Sequence, residues 1–449
     1  MIIQVFQMCF FFTFIMMTSS ATLGHTYNKY RDPAGSFSTV LLDVYSNNVL
    51  IGGVNKVYKL NSDLELLVQG SIGPKLDHPD CQAPPPADCA QERTIRSNLN
   101  NLLQIYDDKI ISCGTVYQGS CEFLYRSNLT SIAQEIVPVI NTEGKSVSIV
   151  SLDAEPKLFI GTSPLSEPDL PAYAIRSPLN FEVYKKQLVT KAQKKATDDA
   201  IKGGFVIDFI HAFVSNGINY FVMVYDEKYG ETTHKYQTYI AHHCQSDLSY
   251  LSYIELPLVC RHNGQSYTLA QSAYLAKRVP SQPNSSELVL VVTFGMSENA
   301  ASLLPERKSA VCMYSLTDTI EYSFLEAYKA CARGNTTFKT IKWAGDSQNT
   351  CTINSHWSNY LQSEQVPSCH DLEQIPDLGG NAPITADAIY QEDNNLFTSV
   401  IFQYIDEVEE NVIFLGDDGG SLTKRGSSNC AQQRALHRIS RFSFSLRDL

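Results

Sequence analysis

An apolar strand that ends in glycine recurs along the chain and limits the folds open to it. Such runs occupy residues 48–52, 109–114, 157–161 and 411–416, and they end at Gly52, Gly114, Gly161 and Gly416. Three of them lead through a short turn into a second strand-like segment, at residues 57–60, 121–124 and 421–422. Two such segments separated by a glycine-containing turn indicate a β-hairpin. The sequence therefore predicts a chain built from repeated hairpins.

The spacing of these hairpins predicts a β-propeller. The glycine steps are 62 residues, from Gly52 to Gly114, and 47 residues, from Gly114 to Gly161. Units of roughly 40 to 60 residues built from strands are typical of propeller blades, which bury their faces by packing around an axis. The 24 Tyr and 21 Phe also favour strands. Further strands are predicted at residues 220–224, 238–241, 288–294, 310–314 and 397–404.

One segment has a helical composition. Residues 185–202 are rich in Lys, Ala, Gln and Asp and precede Gly203 and Gly204, which predicts a short exposed helix. The functional interpretation is a basic patch for a sulfated glycan or an acidic partner, and the alternative is a solvated face. The lysines concerned are Lys185, Lys186, Lys191, Lys194, Lys195 and Lys202.

The N-terminus indicates export. Residues 1–21 are interpreted as a cleaved signal peptide, because an apolar run at 8–17 precedes the small residues Ser19 and Ala21. A buried N-terminal strand is the alternative. No later run reaches the 18 apolar residues of a spanning helix, so no membrane segment is predicted in this chain. The net charge of -12 excludes nucleic acid as the primary partner, since phosphate binding needs a basic surplus.

The 12 cysteines predict a disulfide framework. Cys9 lies in the signal peptide. Two pairs look local, since Cys81 with Cys89 and Cys113 with Cys121 each flank a turn-rich interval. The residues alone cannot pair the other seven, and an odd number leaves one thiol free or bound to another chain. A zinc site at His242, His243, Cys244, Cys369 and His370 is the alternative, but its spacing fits no common zinc motif.

Other sequence signals point to surface loops rather than to catalysis. Three glycosylation sequons begin at Asn128, Asn284 and Asn335, with a weaker one at Asn349. No nucleophile elbow, phosphate loop or metalloprotease motif occurs, so neither an enzyme nor a cofactor is predicted. Residues 416–420 resemble a calcium loop only loosely and favour a tight turn. The acidic run 406–410 favours a solvated turn, although a propeller glycosidase remains the competing class.

Taken together, these segments resemble the sema domain of plexins. The strand and turn at 49–60, the GPKLD segment at 73–77 followed by Cys81 and three prolines, and the CGTVYQGSC hairpin at 113–121 carry the resemblance. Residues 158–162, 309–312 and 331–334 continue it in order. The resemblance covers residues 38 to about 423 and implies a seven-bladed all-β propeller that binds a semaphorin, with co-receptors as possible further partners.

The resemblance also implies disulfide pairs and a contact site. The implied pairs are Cys81 with Cys89, Cys113 with Cys121, Cys244 with Cys369, Cys260 with Cys312, and Cys331 with Cys351, which leaves Cys430 over. The ligand-binding ridge of the family points to Ile353, Asn354 and Ser355, just past Cys351. The alternative is that these three residues only cap a disulfide loop.

Two related families compete with plexins. Semaphorins share the fold, but the segments at 81–86 and 118–121 favour plexin. The hepatocyte growth factor receptor family shares similar motifs but carries a basic processing site, and residues 261–266 (RHNGQS) lack a run of basic residues. The chain is therefore expected to be an extracellular, plexin-like receptor domain that acts in cell guidance.

The C-terminal end departs from the plexin pattern. The propeller is predicted at residues 38–424 with its last blade or blades truncated, and residues 425–449 are predicted to be a divergent basic tail. Three accounts are open: a fragment of a longer receptor, which is favoured, a truncated secreted decoy, or closure by a partner. An open propeller would expose apolar blade faces and unpaired strand edges.

Overall fold

The structure of the protein is a computed structural model. It describes residues 30, 37–43, 45–81, 90–132, 137–138, 140, 146–150, 157–162, 173–180, 193–195, 205–228, 231–247, 250–278, 287–299, 301–334, 341, 343, 351, 369, 378–380, 382–405, 410–419, 421–426 and 442–443. Residues 1–21, Cys89, Asn284, Asn335, Asn349, Ile353, Asn354, Ser355 and Cys430, on which several predictions fall, lie outside these ranges.

Three antiparallel sheets of four strands form the N-terminal part. The first contains β1 (Phe37–Asp43), β2 (Asn48–Gly53), β3 (Lys56–Leu60) and β4 (Leu66–Ser71). A ribbon of β5 (Lys75–Asp77) and β6 (Thr94–Arg96) follows. The second sheet contains β7 (Asn100–Tyr106), β8 (Lys109–Gly114), β9 (Ser120–Tyr125) and β10 (Val137–Pro138). The third contains β11 (Val147–Val150), β12 (Lys157–Gly161), β13 (Tyr173–Asn180) and β14 (Gln193–Lys195).

The middle of the chain forms one larger sheet from two four-stranded halves. The first half contains β15 (Ile207–Ser215), β16 (Ile218–Asp226), β17 (Tyr236–Cys244) and β18 (Ile254–His262). The second contains β20 (Leu269–Arg278), β21 (Glu287–Ser297), β22 (Pro305–Ser315) and β24 (Ile384–Asp393). The halves join where β18 and β24 run parallel, and the short strands β19 (Gln265–Tyr267) and β23 (Leu378–Gly379) pair with β18.

A last sheet contains β25 (Phe397–Ile405), β26 (Glu410–Asp417), β27 (Ser421–Gly426) and β28 (Phe442–Ser443). Asp418 and Gly419 form a turn after β26, which confirms the predicted turn where the structure describes it. Strand β27 runs to Gly426, and β28 pairs with it, so two stretches of the predicted tail take part in this sheet. The boundary at residue 424 stays a proposal.

Apolar clusters lie between consecutive sheets in chain order. One joins Leu50 and Val57 of the first sheet to Ile110 and Leu124 of the second. Others join the second sheet to the third, the third to β15–β18, and β20–β22 to β25 and β26. Because each sheet buries a face against its neighbour, the packing is that of propeller blades. The all-β propeller class is confirmed, whereas the count of seven blades stays a prediction.

The recurrent glycines have a packing role. A Cβ atom on Gly52 would lie 2.1 Å from Asn100 Oδ1 of β7, and one on Gly161 would lie 2.5 Å from the Phe209 ring of β15. Gly161 ends β12, Gly52 is the penultimate residue of β2, and both abut the first strand of the next sheet. A larger residue would push neighbouring sheets apart, which explains why glycine recurs at this place.

The strands predicted at 220–224, 238–241, 288–294, 310–314 and 397–404 are confirmed as parts of β16, β17, β21, β22 and β25. The prediction of a helix over residues 185–202 is wrong for the part of that segment that the structure describes. Residues 193–195 form β14, which pairs with β13. Propensity favoured a helix there, but pairing with a neighbouring strand prevailed. The remaining residues of 185–202 lie outside the described ranges.

A buried ion pair links the first two sheets and predicts a pH dependence. Arg126 donates to both carboxylate oxygens of Asp43, whose side chain is fully buried. Burial alone would raise the pKa of Asp43, but hydrogen bonds from Arg126 and Ser46, with the charge of Arg126, hold this pKa below its ordinary value. The stabilisation is therefore present above the unfolded-state pKa and is lost as the pH falls through the folded-state pKa.

We expect Asp43→Asn to lower the free energy of unfolding at pH 7 by about 1.5–3 kcal/mol, because it removes hydrogen bonds to a charged group. The difference between variant and wild type should shrink as the pH falls below 4. Urea unfolding of the variant and the wild type at pH 7 and at pH 3 measures the difference in unfolding free energy at each pH. A difference that stays constant between the two pH values would contradict the linkage.

Candidate ligand-binding extension

Residues 316–383 leave the second half of the large sheet after β22 and return at its neighbour β24. We call this segment the extension. It contains the predicted contact residues Ile353, Asn354 and Ser355, and its described parts are 316–334, 341, 343, 351, 369, 378–380 and 382–383. Both ends of the extension therefore lie on adjacent strands of one blade.

The extension begins with a helix that packs on the propeller. A π-helical turn (Leu316–Glu321) continues into α1 (Tyr322–Ala332). The buried residues Leu316, Ile320, Phe324 and Tyr328 recur every four positions and join the main apolar cluster. This spacing places them on one face of a helix. Sequence reasoning missed the element, although this signal was available.

The helix is held against β17 through His242. The Phe324 ring stacks on the His242 ring with centroids 4.0 Å apart, and Tyr328 Oη lies 2.6 Å from His242 Nε2. Burial lowers the pKa of His242 to about 3 and raises that of Tyr328 well above its ordinary value. Both groups are therefore uncharged at neutral pH, so the contact is a neutral hydrogen bond.

Trp343 fixes a second point of the extension. Its side chain is 1% exposed and lies among three aromatic rings, with centroids 6.1 Å from Phe205, 6.5 Å from Tyr225 and 6.3 Å from Tyr253. Nearby Ile341 is also buried in the cluster that β15–β18 share with the third sheet. The extension thus touches both faces of its part of the propeller.

A buried carboxylate organises the aromatic site of Trp343. Tyr225 and Tyr253 both donate to Glu255, which is 2% exposed, and the Tyr253 bond measures 2.8 Å. Burial and the charge of Glu255 raise the pKa of Tyr225 well above its ordinary value, so its hydroxyl stays protonated. The two hydrogen bonds fix the rings against which Trp343 packs.

Two disulfides and a strand hold the rest of the extension. Cys351 is bonded to Cys331 of α1, and Cys369 is bonded to Cys244 at the end of β17. Strand β23 then pairs in parallel with the start of β18. The predicted contact residues therefore fall between two covalent attachment points.

The structure also places the other cysteines that are described. Cys113 is bonded to Cys121, and Cys260 to Cys312. Cys81 is disulfide-bonded, and its predicted partner Cys89 lies outside the described residues. The Cys244–Cys369 bond leaves no thiolate for the alternative zinc site. In the part of the chain that the structure describes, no cluster of three metal-binding side chains occurs.

Asn128 is the one predicted sequon within the described ranges. Asn128 and Thr130 are exposed, while Leu129 between them is buried. The Thr130 amide and hydroxyl donate to Asn128 Oδ1 at 3.0 and 2.8 Å. This turn presents the asparagine amide at the surface, where a glycan can be attached.

We expect Asn128→Gln to remove one glycan from protein secreted by eukaryotic cells. The electrophoretic mobility should increase by one glycan step, and glycosidase treatment should abolish the difference. Asn216→Gln is the matched control, since Asn216 is exposed in a turn without a sequon. Equal mobility of Asn128→Gln and wild type before treatment would show that the site is unused.

Comparison with known proteins gives the class of this chain. The Sema domain model matches residues 270–444. By structure, the chain superposes on the Plexin A4 full extracellular region with a TM-score of 0.77 at 23% identity, covering 90% of this chain and 46% of that one. Drosophila Semaphorin 2a gives a TM-score of 0.58 at 16% identity, covering 93% and 72%. The fold is thus that of a sema propeller.

By sequence, the similarity is to plexins. The chain is 27% identical to Plexin-A4 of Homo sapiens over 88% of its own length and 26% identical to Plexin-A2 of Homo sapiens over 84%. It spans about a fifth of the length of these relatives, with 22% and 21% covered. The sequence is therefore similar to the sema domains of plexins, as its motifs predicted. No helix in the described ranges is long and apolar enough to cross a membrane.

Proposed function

We propose that this chain is the ligand-binding propeller of a plexin-like receptor and that it binds a semaphorin by protein–protein recognition. The observation that carries this proposal is the similarity to human Plexin-A4, which extends over 426 residues. Recognition rather than catalysis also agrees with a rigid scaffold that is cross-linked by four described disulfides. The chain would act outside the cell, or at its surface as part of a longer receptor.

The extension is the proposed contact surface. Ile353, Asn354 and Ser355 follow Cys351 closely and precede Cys369, so their segment is bonded to α1 at one end and to β17 at the other. Attachment at two points reduces the conformational entropy that a loop loses on binding. A stable interface of this kind buries on the order of 1,600 Å². In a full receptor, a dimeric ligand would bring two such chains together, whereas a secreted chain would act as a decoy.

The test is binding by the chain secreted from eukaryotic cells. Size exclusion with light scattering first establishes a monodisperse species. The immobilised chain is then titrated with a panel of semaphorin ectodomains and with hepatocyte growth factor. Saturable binding of one semaphorin is the expected result. A well-folded species that binds only hepatocyte growth factor, or none of these ligands, would overturn the proposal.

A substitution localises the contact. We expect Ile353→Arg to weaken semaphorin binding at least tenfold, as substitutions at interface hot spots do. Leu304→Arg is the matched control, because Leu304 is an exposed apolar residue in the loop between β21 and β22. Equal losses in the two variants, or no loss in the first, would place the contact elsewhere.

A further inference from the structure

A cavity lies between the blade of β20–β24 and the blade of β25–β28. Its volume is about 390 Å³, within the range of small-molecule sites. Its apolar wall includes Met313 of β22, Phe402 of β25 and Ile413 of β26. Arg278, Glu287 and Arg425 supply charged groups at its lining. The site thus combines an apolar chamber with a few polar groups, which is the usual composition of a ligand pocket.

Arg425 is the distinctive group of this cavity. Its Nη2 donates to Tyr390 Oη at 2.7 Å, and its guanidinium carbon lies 4.5 Å from the Tyr390 ring centroid. Tyr390 Oη in turn donates to Glu392. Arg425 Nε is buried without a hydrogen-bond partner in the structure as described. A buried donor without a partner is costly, so a ligand that accepts from it is favoured.

The charged residues that line the cavity favour a negatively charged ligand. Arg278 forms an ion pair with Glu287 at 3.7 Å, which offsets both charges. Arg425 forms no ion pair with a described carboxylate; its described contacts are with a neutral tyrosine. Burial is the main cause that raises the pKa of Tyr390, so this phenol remains uncharged. Arg425 is therefore the one charged group of the described lining that lacks a direct ion pair, since Glu392 reaches it only through Tyr390.

We propose that this cavity binds a linear aliphatic carboxylate, with the headgroup on Arg425 and the hydrocarbon chain along Met313, Phe402 and Ile413. A carboxylate accepts well-directed hydrogen bonds from a guanidinium. At about 30 Å³ per small group, the free volume of about 390 Å³ holds a chain of roughly ten carbons with its headgroup. An alkylamine of the same length would be repelled by the positive charge of Arg425, and an alcohol would make no ionic contact with it.

The first test needs no variant. The purified full chain is titrated calorimetrically at pH 7.4 with decanoate and, separately, with 1-decanol. We expect decanoate to bind at least tenfold more tightly, because only the acid carries a charge that complements Arg425. Equal affinities would mean that the cavity selects hydrocarbon alone, and no binding would mean that it has no such ligand. Either result overturns the proposal.

The second test assigns the headgroup contact. Arg425→Gln should lose the preference for decanoate over decanol, with an affinity for decanoate at least tenfold lower. Arg307→Gln is the matched control, since Arg307 is exposed and pairs with Asp418 outside the lining. Unchanged decanoate affinity in Arg425→Gln would overturn the assignment. Because the readout is direct binding of the acid, it is independent of semaphorin recognition.

Discussion

Replacing Trp343 by alanine is expected to lower the free energy of unfolding by about 3–5 kcal/mol, the usual cost of deleting a large buried aromatic side chain. The indole is 1% exposed, and three aromatic rings surround it within 6.5 Å between centroids. The void left by alanine cannot be filled easily, because two hydrogen bonds to Glu255 fix Tyr225 and Tyr253. Chemical unfolding followed by far-ultraviolet circular dichroism measures the loss.

Trp343→Ala should also weaken semaphorin binding, because it removes the buried side chain that attaches the segment between α1 and Cys351 to the propeller. Trp343→Phe is the control: it keeps an aromatic ring in the site and loses no hydrogen bond, since the indole Nε1 has no partner in the described structure. We expect Phe to retain most of the stability and most of the binding. Full stability in Trp343→Ala would show that the extension is not held at this residue.

The hairpins could be predicted from the sequence because their signal is local. Each strand pair lies within a short stretch, and at two of the hairpins the glycine lies where two sheets come into contact. Gly52 and Gly161 illustrate this, since both mark the end of a strand in the sequence and abut the next sheet in the structure. Strand β16 was equally clear, because its unbroken apolar run reflects burial on both faces.

Helix α1 was missed although its signal is also local. Leu316, Ile320, Phe324 and Tyr328 recur every four residues, which is helical spacing. The composition of residues 185–202 drew the helical prediction instead, although residues 193–195 pair as strand β14. For the segment 316–328, periodicity is a better guide than composition, because burial of one face decides the structure more strongly than propensity does.

The candidate sites could not be predicted in the same way. Trp343 meets Phe205, Tyr225 and Tyr253, which are ninety or more residues away in the sequence. The cavity around Arg425 draws residues from seven strands of two blades. The pairing of Cys244 with Cys369 also cannot be deduced from the positions of the cysteines in the sequence alone. Such sites depend on blade packing, so they become visible only when the blades are in place.

Removing the Cys244–Cys369 disulfide is the second change with a large expected effect. The two cysteines are 125 residues apart, and a cross-link over so long a loop restricts the unfolded chain strongly. The chain-entropy model gives a loss of up to about 5 kcal/mol for a loop of this length. The double substitution Cys244→Ala and Cys369→Ala avoids placing a hydroxyl in the buried site of Cys244. Chemical unfolding against wild type under non-reducing conditions measures the loss.

Loss of the Cys244–Cys369 disulfide should affect semaphorin binding, whereas loss of the Cys113–Cys121 disulfide should not. The double substitution Cys113→Ala and Cys121→Ala is the control, since that bridge closes a separation of 8 residues in a different sheet. The chain-entropy model gives it a smaller loss, about 2.5 kcal/mol. If the extension carries the contact, only loss of Cys244–Cys369 should weaken semaphorin binding while the propeller stays folded. Equal binding by both variants would mean that the second attachment point contributes to stability alone and that the ligand contacts another surface of the propeller.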